Sequence, residues 1–284
     1  MSAIMDLCDY KQIMALLDEV GFRFSKAKGQ NFLTADWVPA RIAQACGADE
    51  NTGVVEIGPG VGCLTEQLAR RAGKVVSFEV DTALRPVLER TLAGVDNVEV
   101  VFQDVMKRDL RADVDRMLPG LRPVVCANLP YSITSPVLTK LYQARCFDSI
   151  TVMVQKEVAQ RMCAGAGDAD YSAFSLLTQW YAQPEMLFSV GAECFVPRPK
   201  VTSAVVRLHM RRQPPENVDE KALFQIIRAA FNQRRKTLVN ALSGVCGKER
   251  AAAAIAACGY DEKVRGEAMT LAQFAALTAK IGKE

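Results

Sequence analysis

The sequence has little of what metal sites and disulfide frameworks require. It contains a single histidine, His209, which lies near Arg207 in a strand-like pattern and is expected to be structural. Its nine cysteines are an odd number without any Cys-x-x-Cys pair, and several, such as Cys126, lie within apolar runs. This usage is typical of buried thiols in a reducing compartment, so we predict neither a metal site nor a disulfide.

Targeting and membrane signals are also missing. No run of eighteen apolar residues is present, which argues against a membrane-spanning helix. The first fourteen residues hold two acids, Asp6 and Asp9, and one base, Lys11, unlike a secretory signal or an arginine-rich transit peptide. We therefore expect a cytoplasmic protein with no membrane partner, and the sequence gives no sign of an obligate protein partner.

The net charge of +3 conceals a strongly basic segment. Residues 196–240 contain ten lysines and arginines against three acids, so this segment carries +7 and the rest of the chain −4. Such an imbalance suggests a polyanionic partner for the C-terminal third. On charge alone, a solvated surface explains the segment equally well.

Apolar strands alternate with helical patterns from Gly53 onward, in a chain of 284 residues that can bury a sizeable core. Strands are predicted over 53–58, 74–80, 98–104, 123–128 and 149–155. Helices are predicted over 63–71, from about 82 with Pro86 inside, and over 136–144 and 156–164. Short strands separated by helices predict an α/β fold whose parallel sheet is covered on both faces.

The pattern changes beyond Met186. Two strands, 186–190 and 203–210, follow without a long helix between them and predict an antiparallel end to the sheet. A polar, proline-rich linker (211–217) comes next, and then helices over about 219–231, 233–243, 248–257 and 270–281. Residues 217–220 and 270–273 have capping-box spacing. We predict a domain over 1–210 and a small all-helical domain over 211–284.

Glycines and acids mark the ends of the predicted parallel strands. Gly58, Gly60 and Gly62 follow the first strand directly, where a tight turn lets the backbone approach a ligand. Glu79 closes the second strand and can take both hydroxyls of a ribose. Because the carboxyl ends of parallel strands share one edge, Asp104 and Asn128, which close the next two strands, are expected in the same crevice.

The glycine spacing bears on which nucleotide occupies this crevice. A dinucleotide site usually shows G-x-G-x-x-G, whereas here the third glycine comes one residue early and Glu56 precedes the loop. S-adenosylmethionine has no phosphate and carries a positive sulfonium, so nearby acids are tolerated. The pattern therefore favours S-adenosylmethionine as the cofactor.

The sequence NLPY (128–131) suggests the chemistry at the substrate end. The lone pair of an amine conjugated to a ring is delocalised, so that nitrogen is a poor nucleophile. The Asn128 side-chain oxygen and the Leu129 carbonyl could hold its two hydrogens and localise the lone pair toward a methyl donor. Pro130 stiffens the backbone, and Tyr131 could stack on the ring. No strong general base is required, because the methylated nitrogen loses its proton easily.

Eight segments distributed in order along nearly the whole chain form a recognisable set. They are KGQNFL (28–33), EIGPGVG (56–62), FEVD (78–81), QDVMK (103–107), NLPY (128–131), QKEVAQR (155–161), FVPRPKVTSAVV (195–206) and FNQRRKTLVN (231–240). Taken together, these segments resemble those of the bacterial small-subunit rRNA adenine-N6,N6-dimethyltransferases. The resemblance implies a Rossmann-like class I methyltransferase sheet over 1–210 and a helical RNA-binding domain over 211–284. It also implies methylation of two adjacent adenosines in a 16S rRNA hairpin loop during small-subunit assembly.

Carried over by position, this resemblance implies roles for individual residues. The catalytic loop is Asn128, Leu129, Pro130 and Tyr131, with Phe195 stacking on the opposite face of the target base. Gln30 belongs to an N-terminal segment expected to fold over the cofactor. The other cofactor contacts expected are Asn31, Leu33, Gly58, Gly60, Glu79, Asp104 and Asn128.

A general property of RNA loops and one feature of the chain agree with an RNA substrate. Unpaired loop bases are the usual targets of sequence-specific RNA recognition and are easily extruded into a pocket. A basic cluster would then hold phosphates within the small subunit or its precursor, and its members are Arg228, Arg234, Arg235 and Lys236.

Three other functions fit parts of the pattern. A 23S rRNA methyltransferase of the macrolide-resistance type shares the crevice but usually has a shorter C-terminal domain. A non-catalytic RNA-binding or transcription factor on the same scaffold would not need Glu79, Asp104 and NLPY intact. A nicotinamide oxidoreductase is disfavoured by the glycine spacing and by the lack of a catalytic base near the crevice.

Overall fold

The computed structural model describes residues 5–25 and 29–282. Within these ranges the chain divides into two compact units. The first comprises the residues up to Ala159 together with Glu185–Met210, and the second comprises Gln160–Pro184 together with the residues from Arg211 onward. Residues 160–184, which the sequence-based division assigned to the first domain, thus cluster with the second unit. The functional division into methyltransferase and RNA-binding domains stays a prediction.

The strands and helices predicted from the apolar patterns are present in the predicted order, together with elements that the patterns do not predict, such as the helices Trp37–Cys46 and Leu110–Met117. The strands are β1 (Phe32–Leu33), β2 (Thr52–Ile57), β3 (Lys74–Phe78), β4 (Val98–Val101), β5 (Arg122–Asn128), β6 (Ser149–Gln155), β7 (Ala182–Val190), β8 (Phe195–Val196) and β9 (Ser203–Met210). The helices are α1 (Tyr10–Glu19), α2 (Trp37–Cys46), α3 (Cys63–Ala69), α4 (Arg85–Thr91), α5 (Leu110–Met117), α6 (Thr134–Ala144), α7 (Lys156–Cys163), α8 (Ala173–Tyr181), α9 (Glu220–Asn232), α10 (Leu238–Cys246), α11 (Lys248–Ala257) and α12 (Leu271–Ile281).

Seven strands form one mixed sheet in the order β4-β3-β2-β5-β6-β9-β7. The five strands from β4 to β6 run parallel, whereas β9 pairs antiparallel with β6, with Val206 opposite Val152. All six residues of β2 are buried. This is expected where helices cover both faces of a parallel sheet, since no side of the strand then meets water.

A separate two-stranded ribbon joins distant parts of the first unit. β1 pairs antiparallel with β8, with Phe32 opposite Val196 and Leu33 opposite Phe195. The ribbon places the N-terminal segment beside the segment that precedes β9. Both Phe32 and Phe195 belong to the hydrophobic core of this unit.

Proline Pro86 lies in the first turn of α4, after a short 3₁₀ turn over Thr82–Leu84. In that position its missing N–H removes no intrahelical hydrogen bond, so the proline starts the helix and does not break it.

No helix in the described part of the chain is long and apolar enough to cross a membrane.

The second unit is helical, with an aromatic core. Tyr171 is fully buried, and its hydroxyl donates to the carbonyl of Met269 at 2.9 Å. Its ring contacts that of Phe231, with 5.6 Å between the ring centroids. The indole of Trp180 donates to the Glu220 carboxylate at 3.0 Å. These contacts tie the 160–184 segment to the C-terminal helices.

Four details of this unit bear on the sequence-based prediction, and one of them confirms it. The capping box predicted at Asn217 is wrong, because Asp219 caps α9 by accepting from the backbone N–H of Ala222 at 2.7 Å. The capping box of Thr270 and Gln273 is confirmed. Helix α10 begins at Leu238, so residues 233–237 form a turn where a helix was predicted. Helix α8 was not predicted.

Candidate active site

The carboxyl ends of β2, β3 and β5 open into a cavity of about 320 Å³. This volume lies at the lower end of the range of small-molecule sites. The cavity brings together most of the site residues proposed from sequence: Gln30, Asn31, Leu33, Gly58, Gly60, Glu79, Asp104, Asn128, Leu129, Pro130 and Tyr131. Residues separated by a hundred positions along the chain thus meet at one edge of the sheet.

The glycine loop lines the floor of this cavity. Gly58 and Gly60 have φ angles of +72° and +60°, which side chains other than glycine rarely adopt. A Cβ on Gly60 would also lie 3.1 Å from the ring of Phe32. The loop therefore needs glycine both for its backbone conformation and for its packing beneath β1.

Glu79 presents a carboxylate at the end of β3. It is 5% exposed, and its Oε1 accepts from the backbone N–H of Asp81 at 2.7 Å. Burial raises the pKa of the carboxyl, and the nearby charge of Asp81 raises it further. The backbone N–H groups of Gly60 and Val80 also act on this carboxylate, and its remaining lone pairs can accept from a ligand hydroxyl.

Asp104 is arranged in the same way beyond β4. Its Oδ1 accepts from the backbone N–H of Met106 at 2.9 Å and so caps a short 3₁₀ turn. The neighbouring Gln103 is held by Arg108, whose Nη1 donates to Oε1 of Gln103 at 2.6 Å. Asp104 can therefore offer its second oxygen to an exocyclic amine.

Side-chain hydrogen bonds hold the N-terminal segment that contains Gln30 and Asn31 at the edge of the cavity. Gln30 accepts from the backbone N–H of Ser25 at 3.0 Å and donates to Oδ2 of Asp81 at 2.7 Å. Asn31 donates to the carbonyl of Gly29 at 3.1 Å. Lys28, the first residue of the matching KGQNFL segment, lies outside the described residues. The link from Gln30 to Asp81 joins this segment to the residues that hold Glu79.

Asn128 ends β5 with its side chain oriented by the same segment. Its Nδ2 donates to the backbone carbonyl of Asn31, with 3.5 Å between nitrogen and oxygen. Because the amide nitrogen is engaged there, Oδ1 remains as an acceptor on the cavity side. No sequence pattern pointed to Asn31 as the partner of this amide.

The rest of the NLPY loop (128–131) is fixed through its backbone. The N–H of Leu129 donates to the carbonyl of Met153 on β6 at 3.1 Å, and the Leu129 side chain is buried. The carbonyl of Pro130 accepts from the N–H of Ile133 at 3.2 Å and from the hydroxyl of Thr134 at 3.1 Å. Among the described residues no backbone N–H donates to the Leu129 carbonyl, so this oxygen can serve as a second acceptor beside Asn128.

Two residues used in the sequence reasoning lie away from the cavity lining. Glu56 is buried beneath the glycine loop, where its Oε2 accepts from the hydroxyls of Thr65 at 2.7 Å and Ser77 at 2.6 Å. Phe195 is 5% exposed and packs in the core opposite Leu33, so its stacking on a base stays a prediction. Glu56 therefore acts on the fold beneath the loop and not on the ligand directly.

We expect Glu56 to give the stability of the protein a distinctive pH dependence. Burial raises the pKa of this carboxyl from 4.5 to about 7, against the hydrogen bonds from Ser77 and Thr65. The protonated Glu56 side chain therefore contributes fully to the free energy of unfolding below pH 4.5, and this contribution is lost as the pH rises through 7. Urea unfolding of wild type and Glu56→Gln should show the wild type losing about 3 kcal/mol relative to the variant over this interval. A difference that is independent of pH would contradict this assignment.

The basic residues predicted to bind RNA belong to the second unit. Arg228 is exposed on α9, and Arg234, Arg235 and Lys236 are exposed in the turn before α10. Arg234 also lies near Glu267, with 3.4 Å between its Nη2 and Oε2 of Glu267, so its charge is partly neutralised within the unit.

His209, in the first unit, is also exposed, and its Nε2 lies 3.4 Å from the Glu185 carboxylate. The described residues contain no cluster of side chains that could hold a metal ion.

Comparison with known sequences gives matches over most of the chain, and the matched proteins agree in the function that their names state. The ribosomal RNA adenine dimethylase family matches residues 21–282. A ribosomal RNA small subunit methyltransferase A from Geobacillus thermodenitrificans is 44% identical over 271 residues, covering 93% of this chain and 92% of the relative. A protein of the same name from Shouchella clausii is 44% identical over 280 residues, covering 96% and 95%.

Solved structures share the fold. The 23S rRNA methyltransferase ErmE has a TM-score of 0.68 at 26% identity and covers 89% of this chain and 100% of its own. A dimethyladenosine transferase from Plasmodium falciparum has a TM-score of 0.70 at 24% identity, covering 86% and 95%. The predicted Rossmann-like methyltransferase sheet with a helical C-terminal region is thereby confirmed.

Proposed function

The chain belongs to the ribosomal RNA adenine dimethylase family, and from this premise we propose the reaction that its cavity carries out. The protein transfers methyl groups from S-adenosylmethionine to N6 of two adjacent adenosines in a 16S rRNA hairpin loop. It acts in the cytoplasm on the small ribosomal subunit or its precursor during assembly. The family and the curated relatives support an rRNA adenine dimethyltransferase, and the residues of the cavity suggest how it works.

The donors and acceptors in the cavity fit S-adenosylmethionine. The Glu79 carboxylate has lone pairs for the ribose hydroxyls beyond those used by the backbone, and Asp104 has one oxygen for the exocyclic amine of the adenine ring. The glycine loop provides a surface without side chains for the amino acid part. When bound, this cofactor supplies a methyl group made electrophilic by its sulfonium. No metal ion is needed for that chemistry.

The target amine is recognised by two acceptors on a fixed loop. Oδ1 of Asn128 and the carbonyl of Leu129 accept the two hydrogens of the adenine N6 amine. This pairing draws the nitrogen lone pair out of conjugation with the ring and directs it toward the methyl donor. The ring of Tyr131 stacks on the base, which is extruded from an unpaired loop.

The proton released in the reaction needs no dedicated base. After the methyl group is transferred, the N6 nitrogen carries a positive charge next to an electron-poor ring, and it loses a proton readily to water. In the first unit, His209 lies on β9 away from the cavity and takes no part in this scheme. The residues of the NLPY loop therefore act by orienting the target amine and by stacking on its base. Polar groups that are held in place before the reaction are effective in such a role.

The observation that carries this proposal is the orientation of the Asn128 amide. Since its nitrogen donates to the Asn31 carbonyl, its oxygen is presented as an acceptor. An acceptor there favours an amine substrate over a carbonyl or phosphate group. A nicotinamide oxidoreductase or a non-catalytic RNA-binding protein would have no use for this arrangement.

The basic cluster of the second unit suggests how the RNA backbone is held. Replacing Arg228, Arg235 and Lys236 together by alanine should weaken RNA binding roughly 10- to 100-fold at low salt. It should also reduce the slope of log affinity against log salt by about 2 to 3. Filter binding over a salt series measures both quantities.

A matched control has the same change in net charge within the same unit. Lys221, Lys248 and Lys263 are exposed and lie outside the basic cluster. Their replacement by alanine should alter the slope much less. Equal losses in the two triple variants would assign the effect to net charge alone and contradict a defined phosphate-binding surface.

The substrate itself is tested with isolated ribosomal subunits. The structural likeness to ErmE makes 23S rRNA the alternative to exclude. Purified protein and labelled S-adenosylmethionine should label 16S rRNA in small subunits from cells that lack this modification. Label in 23S rRNA alone, or in neither RNA, would contradict the proposed function.

A further inference from the structure

Tyr131 is anchored by a side chain that does not line the cavity. Its hydroxyl lies 2.7 Å from Oγ of Ser203, a hydrogen-bonding distance. Ser203 is fully buried, whereas Tyr131 lines the cavity and is only partly buried. Ser203 is absent from the cavity lining, so it reaches the site only through this bond.

The position of Ser203 in the sheet makes it a rigid support. It is the first residue of β9 and lies opposite Gln155 in the antiparallel pair with β6. The preceding residue, Thr202, accepts at its carbonyl from the N–H of Lys156 at 2.9 Å. The serine hydroxyl is therefore attached to two hydrogen-bonded strands of the core.

The NLPY loop is tied to the same two strands. The N–H of Leu129 is bonded to Met153 on β6, and the Tyr131 hydroxyl is bonded to Ser203 on β9. The first bond fixes the loop backbone, and the second fixes the far end of the Tyr131 ring. Together they set the angle at which the ring faces the cavity.

We propose that Ser203 is a positioning residue that holds the Tyr131 ring in the plane needed to stack on the target adenine, a role that rests on the proposed function. Without the serine hydroxyl, the phenol has no partner in this position, and the ring is free to tilt toward solvent. The misaligned base then places N6 away from its two acceptors. The loss falls on the chemical step and not on cofactor binding.

A double-mutant cycle isolates this effect. Tyr131→Phe keeps the ring and removes only its hydroxyl, and Ser203→Ala removes only the other hydroxyl. Each should lower kcat about three- to tenfold, the range expected for one hydrogen bond. Because the two changes break the same bond, the double variant should be no slower than the slower single variant.

Two further measurements separate positioning from general damage. The affinity for S-adenosylhomocysteine, measured by calorimetry, should stay within about twofold of wild type in every variant. Thr202→Ala, which removes an adjacent exposed hydroxyl, should leave kcat unchanged. If Ser203→Ala does not fold, Ser203→Cys, nearly isosteric and a weaker donor, replaces it in the cycle.

Additive losses in kcat, an unchanged kcat in the single variants, or an equal loss of cofactor affinity would each overturn this role. Those results require a wild-type enzyme that methylates small subunits, so they would leave the proposed function intact. Failure of the wild type itself to methylate adenosine would instead overturn the function. The two failures are thereby distinguished in one set of assays.

Discussion

Replacing Asn128 by alanine is expected to lower the rate of methyl transfer about 100- to 1000-fold, the cost of removing one pre-arranged polar group from a reacting centre. The variant loses the oxygen that accepts one of the two N6 hydrogens, so the lone pair stays conjugated with the ring. It also loses the donor to the Asn31 carbonyl, which loosens the N-terminal segment. Single-turnover kinetics with small subunits measures the chemical step directly.

Cofactor affinity gives the internal control for Asn128→Ala. Glu79 and Asp104 keep their hydrogen-bond partners in this variant, so binding of S-adenosylhomocysteine should weaken less than about tenfold. Asn128→Asp retains an acceptor oxygen but cannot donate to Asn31, and its rate should lie between those of wild type and Asn128→Ala. Asn51→Ala, at an exposed turn, should have no effect. Near-normal turnover of Asn128→Ala would refute the two-acceptor scheme.

Replacing Glu79 by alanine should have the largest effect on cofactor binding, roughly a 100-fold loss or about 3 kcal/mol, since the hydrogen bonds it makes are charge-assisted. The carboxylate is almost fully buried, and one oxygen already accepts from the Asp81 N–H. Its removal leaves both that donor and the ribose hydroxyls without a partner. Calorimetric titration with S-adenosylhomocysteine measures the loss.

Two variants test whether the Glu79 effect is local. Glu79→Gln keeps one acceptor oxygen without the charge, so its affinity should fall less than that of Glu79→Ala. Glu99→Ala on β4 removes an acid of the neighbouring strand that pairs with Lys74 at 2.9 Å. Its cofactor affinity should match the wild type. Wild-type affinity in Glu79→Ala would show that the ribose lies elsewhere.

Much of the fold could be predicted because both faces of the parallel strands are covered. The buried strands then read as continuous apolar runs, and the segment 149–155 was predicted with its observed bounds. The same reasoning placed Glu79 and Asn128 at one edge of the sheet. The polar residues that follow such strands converge whatever their separation along the chain.

The hydrogen bonds that complete the site could not be predicted from periodicity. Gln30 and Asp81 are 51 residues apart, Asn31 and Asn128 are 97 apart, and Tyr131 and Ser203 are 72 apart. Local patterns record which face of an element is buried, but they do not record which distant partner a polar side chain meets. The roles of these residues therefore depend on the three-dimensional arrangement.

The failures in the second unit have local causes. Asn217 and Glu220 have the spacing of a capping box, but Asp219 lies closer to the helix start and takes the exposed N–H of Ala222. Helix α8 follows a stretch rich in glycine and aspartate, AGAGDAD, which is typical of a loop. Its N-terminus depends on Ser172 and Ser175 capping each other.

Mass spectrometry of nucleosides from 16S rRNA tests most directly whether this cavity dimethylates adenosine in the small subunit. Small subunits from cells lacking the modification are incubated with S-adenosylmethionine and either wild type or Asn128→Ala, and the rRNA is digested. We expect N6,N6-dimethyladenosine at two residues per subunit with wild type and almost none with the variant. Methylation at another base or atom, or equal yields from both proteins, would contradict the proposed reaction.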